Sequence, residues 1–313
     1  MNERTLKKLS QLLIVVATLI WGSTFFILKD TLEDVSVFFM LAFRFTLATA
    51  ILALVFFKRW KGIWKKGYFA AGGVMGTLMF LAYTIQNYGL METTPGKNAF
   101  FTAVYCVMVP FLYWIIARIR PNRFHVLAAV LCLGGIGLVS WDGGFSLGRG
   151  DALTLLGGLM YALHIVAVAY FSKGKDIFIL TVLQFATTAL WSWAATLVTH
   201  GLPVGGLPAQ GWAVLLYLAI AATTLALLFQ NVGQKYTDPS SAAVLLSLEA
   251  PFGVAFSMIF YQERPTVTMV AGFVLIFLSI LCAETKFSFL RHKKSEEAQA
   301  VPAGETTNFE KGG

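Results

Sequence analysis

With 313 residues, 57% of them hydrophobic and only 13% charged, this chain carries more apolar surface than a water-soluble globule can bury, and mean hydropathy is +0.71. The formal net charge of +8 does not call for nucleic acid, because Lys and Arg of a membrane protein collect in its cytoplasmic loops. Cys106, Cys132 and Cys282 lie in apolar stretches without metal-ligand spacing, so they read as small core residues.

A bilayer core takes about 20 apolar residues as helix. Ten stretches qualify, at approximately 11–28, 35–57, 68–90, 98–117, 124–141, 151–171, 178–199, 211–232, 241–261 and 266–284. The first reads as a span and not a cleaved leader, because it contains Trp21 and runs into Lys29 and Asp30 instead of a small-residue cleavage site. The second carries Arg44. Trp60, Trp64 and Tyr68 flank the third as interface anchors. Within the third, Gly72 and Gly76 form a small-xxx-small pair that predicts a close helix contact. Pro95 and Pro239 stand near the starts of the fourth and ninth spans, where a missing N–H is tolerated. Pro110 and Pro251 fall inside those spans and predict kinks. Helix is the expected conformation throughout, since lipid offers the backbone no hydrogen-bond partner. From Lys286 the chain turns polar, and 286–313 reads as a disordered cytoplasmic tail.

Basic residues set the orientation. The N-terminal segment, loops 58–66, 118–123 and 173–175, Lys235 and the segment from Lys286 hold most of them. The alternate loops hold only Lys29, Lys97, Arg149 and Arg264. Both termini are therefore expected in the cytoplasm, with the chain a multi-pass protein of a plasma (bacterial inner) membrane.

An offset of 144 residues superposes polar landmarks. Gln86-Asn87 falls on Gln230-Asn231, Gly89 on Gly233, Thr93 and Pro95 on Thr237 and Pro239, and Arg120-Pro121 on Arg264-Pro265. Nearer the start the offset is 140, with Trp21 on Tyr161 and Arg44 on Gln184. Two units of five spans follow, at 1–145 and 146–285, and an odd number of spans inserts the second upside down. The predicted fold is thus all-α and membrane-integral, with ten transmembrane helices as two inverted five-helix repeats. In secondary carriers of that architecture the substrate site lies near the midplane between the repeats.

Several stretches carry a family likeness: Trp21-Gly22-Ser23-Thr24-Phe25, Phe43-Arg44-Phe45, Gly96-Lys97-Asn98-Ala99-Phe100-Phe101-Thr102, and Leu248-Glu249-Ala250-Pro251-Phe252-Gly253 followed by Gln262-Glu263-Arg264. On these the chain resembles the EamA-type members of the drug/metabolite transporter superfamily, over roughly residues 11–285. The resemblance implies ten helices in two halves, a central cavity, and efflux or exchange of small metabolites such as amino acids. The chain departs from the family pattern at Gln262, where Gly is common, and at Ile119, which replaces the first-half counterpart of Glu263. Pro251 has Val107, not Pro110, at the 144 offset.

Charge within a span marks function or pairing. Glu249 is either a proton or substrate-amine site, or a carboxylate that packs a helix near Pro251. Arg44 either binds a substrate carboxylate or pairs structurally, and the structural role is favoured. Of Gln86, Asn87, Gln230 and Asn231, one of each adjacent pair can face a cavity while the other joins helices. Trp21 with Thr24 and Leu28, Tyr83 with Phe80, Thr84 and Asn87, and Tyr161 with His164 and Val168 follow helical spacing, as packing stripes or cavity walls. A lone histidine such as His164 is more often a satisfied hydrogen-bonding group than a titrating one.

No His-Glu-x-x-His, paired-cysteine, Walker or serine-elbow pattern is present, so no cofactor, metal or catalytic residue is expected. The expected partners are a small-molecule solute and the lipid bilayer, with protons as a candidate coupling ion and nucleic acid excluded. The function predicted is a secondary transporter that exports small metabolites by gradient-driven alternating access. The alternative is a membrane-embedded enzyme on lipid-linked substrates, for which only the scattered Glu92, Asp142, Asp151 and Asp238 offer chemistry.

Overall fold

The computed structural model describes residues 3–139, 141, 147–203, 206–237, 239–262 and 264–285. Asp142, Asp238, Glu263 and the segment 286–313 lie outside the described residues. The described residues are helical and contain no strand. The helices are α1 (Glu3–Gly22), α2 (Thr24–Asp34), α3 (Val37–Val55), α4 (Tyr68–Met91), α5 (Pro95–Ala103), α6 (Tyr105–Ala117), α7 (Arg123–Val139), α8 (Arg149–Phe171), α9 (Ile177–Val198), α10 (Ala209–Tyr217), α11 (Ala226–Lys235), α12 (Pro239–Leu246), α13 (Glu249–Phe260) and α14 (Val267–Thr285). A 3₁₀ turn at Phe57–Gly62 follows α3, and a π-helical segment, Leu218–Leu225, joins α10 to α11.

Seven stretches among the described residues are long and apolar enough to cross a bilayer: Thr5–Gly22, Val37–Val55, Tyr68–Met91, Pro95–Ala117, Arg149–Phe171, Ile177–Val198 and Ala209–Lys235. Arg123–Val139, Glu249–Phe260 and Val267–Ser279 are apolar but shorter. Outward faces carry apolar side chains such as Leu54, Ile115, Leu133, Leu190 and Ile259, while threonines and asparagines are buried. That polarity is the reverse of a soluble domain and suits lipid outside and polar pairing inside.

Several expected spans are interrupted, and local chemistry explains where. The first breaks at the Gly22-Ser23 pair, a typical kink site. Gly22 lies against the backbone and Cβ of Phe252 on α13, where a side chain would collide. The ninth breaks at Ser247 and Leu248, and α13 opens at Glu249. Pro251 is the third residue of α13, so its missing N–H costs nothing there, while its ring excludes a regular turn onto Ser247. The fourth breaks at Val104, which is 144 residues before Leu248. Pro110 lies farther along, inside α6. The eighth contains the π segment, where the Thr223 and Thr224 hydroxyls donate to the carbonyls of Leu218 and Ala219, five residues back, at 2.7 and 2.8 Å.

The helix starts follow familiar capping rules. Ser36 accepts from Phe39 N to cap α3, and Thr94 accepts from Lys97 N to cap α5 with Pro95 at its first position. Asp176 accepts from Phe178 N at the start of α9. Tyr68 is buried against protein, where its hydroxyl accepts from Asp176 N at 2.7 Å, while Trp60 and Trp64 are exposed. Cys106, Cys132 and Cys282 are free and buried.

The largest helix contacts all join one helix from before residue 145 to one from after it. They are α4 with α8 and α9, α3 with α9, α7 with α14, α1 with α11, and α5 with α13. Small residues permit the close approach. Gly72 and Gly76 seat Leu183, Gln184 and Thr187 of α9, and Gly135 meets Gly272 between α7 and α14. Gly89 rests on Gly150 and Thr154 of α8, while Gly233 rests on Ser10 and Ile14 of α1. The two sequence halves are therefore interleaved in space and share one core.

Candidate functional site

That interleaving leaves a narrow cavity between α1, α2, α3, α4, α5, α6, α8, α11, α12 and α13. Ten of the eleven residues singled out from sequence line it: Trp21, Thr24, Arg44, Tyr83, Gln86, Asn87, Tyr161, His164, Gln230 and Glu249. Asn231 does not. Its side chain turns away and donates to Thr181 Oγ1 on α9 at 3.1 Å, acting as a join between helices. Of the Phe80 stripe only Tyr83 and Asn87 reach the cavity, while Phe80 packs between Phe38 and Trp191. Val168 belongs to a separate core cluster with Met75 and Leu180.

Arg44 is 1% exposed. Its Nε donates to Thr223 Oγ1 of the π segment at 2.9 Å, and its Cζ lies 5.2 Å from the centre of the Tyr83 ring. Its Nη1 is buried without a hydrogen-bond partner. Trp21 Nε1 donates to Ala222 O at 2.8 Å, so the same π segment fixes both an arginine and an indole at the cavity wall. These side chains use groups that the wider π turn leaves accessible.

Along the wall, Tyr83 meets Tyr161 edge-on with ring centres 5.4 Å apart, and Tyr161 meets Tyr105 at 6.4 Å. The Tyr161 hydroxyl donates to Gln86 Oε1 at 2.8 Å, and Gln86 Nε2 donates to Thr102 Oγ1 at 3.0 Å. Asn98 Nδ2 donates to Thr154 Oγ1 at 2.7 Å. Asn87 Nδ2 donates to Tyr83 O, while His164 Nε2 and Gln184 Oε1 are 2.9 Å apart. Glu249, 6% exposed, opens α13 beside Tyr105. The Tyr105 hydroxyl is buried with no hydrogen-bond partner at normal geometry. Among the described residues the ion pairs are Arg59–Asp176 and Arg149–Glu92, so neither Arg44 nor Glu249 is in one.

Asn98, Thr102 and Tyr105 line the cavity but escaped the reading of single residues. A signal for Tyr105 existed: the 144 offset places it opposite Glu249. Of the acidic residues considered for lipid-linked chemistry, the described ones, Glu92 and Asp151, do not line the cavity. Glu92 pairs with Arg149 at 3.4 Å, and Asp151 accepts from Thr93 Oγ1 at 2.6 Å. Among the described residues no three His, Cys, Asp or Glu side chains are grouped to hold a metal.

Apolar spanning helices around a buried cavity with polar lining suit a multi-pass membrane transporter. The chain belongs to the EamA-like transporter family, of the drug/metabolite transporter superfamily, and matches it over residues 8–141 and again over 148–285. An "Uncharacterized transporter" of Archaeoglobus fulgidus is 31% identical over 86% of this chain and 83% of its own length. A "Probable biotin transporter" of Pseudomonas aeruginosa is 24% identical over 80% of this chain and 89% of its own. A solved crystal structure shares the fold with a TM-score of 0.69 at 16% identity, covering 88% of this chain and 97% of that one.

Proposed function

We propose that the protein is a secondary transporter exporting small organic solutes, amino acids among them, by alternating access of two inverted five-helix repeats, 1–145 and 146–285. The observation that carries this reading is one central cavity lined by residues at matching positions of both halves: Trp21 and Tyr161, Thr24 and His164, Gln86 and Gln230. Two further correspondences support it. Gly89 packs on Gly150 and Thr154, and Gly233 packs on Ser10 and Ile14, each partner displaced by 140 residues. The breaks at Val104 and Leu248 are displaced by 144. Two related units inserted in opposite senses give two conformations of similar energy, one open to each side. The distribution of Lys and Arg favours cytoplasmic termini in a plasma membrane.

Glu249 is the candidate proton-coupling group, since a buried carboxylate without a cation costs several kcal/mol (~3–5) unless it is neutralised. Flux measured in proteoliposomes against a panel of amino acids, organic acids and biotin tests the reading. Biotin is included because the Pseudomonas relative is named for it. Absence of flux for every solute, with correctly folded protein in the bilayer, overturns it. A topology probe placed at residue 145 and another at the C-terminus should report opposite faces of the membrane.

A further inference from the structure

The helix α11 turns three faces to three surroundings, and one of them leaves polar atoms unpaired. Gly233 rests on Ser10 and Ile14 of α1, and Asn231 Nδ2 donates to Thr181 Oγ1 of α9. Between those two directions Leu227 and Gln230 line the central cavity. At about 100° per residue, Gly233 lies about 60° to one side of Gln230 and Asn231 about 100° to the other. On the Asn231 side Leu227 lies about 60° round from Gln230, and Gln234 about 40°. Gln234 therefore shares the cavity-facing arc with Leu227 and Gln230, and stands about 6 Å beyond Gln230 along the helix axis.

Yet Gln234 does not line that cavity. It is 3% exposed, and both its Nε2 and its Oε1 are buried with no hydrogen-bond partner among the described residues. Just past the helix end, the buried Thr237 Oγ1 is unpartnered as well, and so is Asn231 Oδ1. A primary amide with neither donor nor acceptor satisfied is costly in a low-dielectric interior, and marks a place where water or a polar ligand belongs. The first half supplies the comparison. On α4 the residues at the 144 offset are Tyr83, Gln86 and Leu90, and all three line the cavity. The cavity thus reaches one turn farther along α4 than along α11.

We infer that Gln234 and Thr237 line the solute path at the C-terminal end of α11, in the conformation in which the cavity has moved to that end. This rests on the two inverted repeats proposed above, by which the C-terminal ends of α4 and α11 face opposite sides of the membrane. Exchanging the conformations of the two halves places Gln234 on the cavity wall where Leu90 stands here, and gives its amide water or a solute to bond. The path is then polar at the α11 end, with an amide donor and acceptor for the solute, and apolar at Leu90.

The test is thiol labelling of Gln234→Cys in oriented proteoliposomes by a membrane-impermeant methanethiosulfonate cation, during exchange of the amino acids, organic acids and biotin of the flux panel. The wild type, whose three cysteines are buried, is the blank, and Tyr236→Cys is the exposed reference. Gln234→Cys should react only from the face where Tyr236→Cys reacts, at about 0.1–10% of its rate, the population of a minor conformer. Leu90→Cys should react only from the opposite face. If the Gln234→Cys protein does not fold, Thr237→Cys carries the test. Gln234→Leu, which installs the first-half residue, should raise the melting temperature by removing the unsatisfied amide, and slow exchange about tenfold by favouring the present conformation. Exchange-active protein in which neither Gln234→Cys nor Thr237→Cys reacts above the blank overturns the inference and leaves the transporter reading standing. Loss of stability in Gln234→Leu with exchange unchanged does the same, because the amide is then a packing group. Labelling of Leu90→Cys and Gln234→Cys from one face overturns the inverted arrangement and the inference with it. Labelling from the expected faces without exchange of any solute supports the inference and counts against transport.

Discussion

The N-terminal half supplies Arg44 where the 140-residue offset puts Gln184 in the C-terminal half. The C-terminal half supplies Glu249 where the 144-residue offset puts Tyr105 in the other. At Gln86 and Gln230 the two halves keep the same residue, while Trp21 and Tyr161, Thr24 and His164, and Tyr83 and Leu227 line the wall at corresponding positions with different side chains. The helices differ in the same region. Residues 74–81 of α4 are regular α-helix, whereas their counterparts 218–225 are π-helical and hold the arginine through Thr223. The first span breaks at Ser23, but α8 runs unbroken through the corresponding residue 163. A repeat can therefore preserve the packing frame while charge and helix geometry diverge at the one place where a solute would be held. The frame is set by small residues at crossings, which tolerate little change. The wall faces space, so its side chains are free to differ.

That contrast can be broken experimentally. The largest effect is expected at the unmatched charge. Arg44→Ala should lower flux on the order of 100-fold, from loss of a buried charge-assisted contact. Gln184→Ala, at the corresponding position, should remove the partner of His164 at a cost of about 1 kcal/mol and leave flux within a few-fold. Equal losses of flux in the two variants would erase the asymmetry. Glu249→Gln, which fixes a neutral side chain, should abolish pH-driven flux while the protein still folds. Persistence of the pH dependence would remove Glu249 from the coupling role.

Matched positions should behave alike. Gly89→Val and Gly233→Val should each destabilise the fold by about 1–3 kcal/mol through overpacking, read as thermal unfolding in detergent. Loss at only one of them would show that the two crossings are not equivalent. Tyr105→Phe removes a buried hydroxyl that stands beside Glu249 without a well-formed hydrogen bond, so stability should change by less than about 1 kcal/mol. The smallest effect belongs to the surface pairs. Arg149→Ala, with an 81% exposed side chain, should fall within about 0.5 kcal/mol. Arg59→Ala should exceed it slightly, because that guanidinium also lies 4.6 Å from the Phe178 ring centre.

How far the candidate site could be read from sequence varies residue by residue. Arg44 and Glu249 stand out because charge within an apolar run is expensive. Gln86 and Gln230 stand out because polar matches at a fixed offset are rare in such a chain. Asn231 satisfied the same pattern and yet faces Thr181, since adjacent helical positions point about 100° apart and periodicity does not say which one meets the cavity. Asn98 and Thr102 are silent for a similar reason: small polar residues of a helix read as local backbone partners until a neighbouring helix is placed beside them.

Composition and run length alone determined that this is a helical protein of the membrane, because apolar stretches near the bilayer thickness have no other stable use. The offset pattern determined that its halves correspond. Only the tertiary structure decided where helices break, which glycines meet which partners, and that Arg44, Glu249 and three tyrosines line one cavity. These depend on contacts between residues more than a hundred positions apart, and neither local propensity nor period encodes such distances.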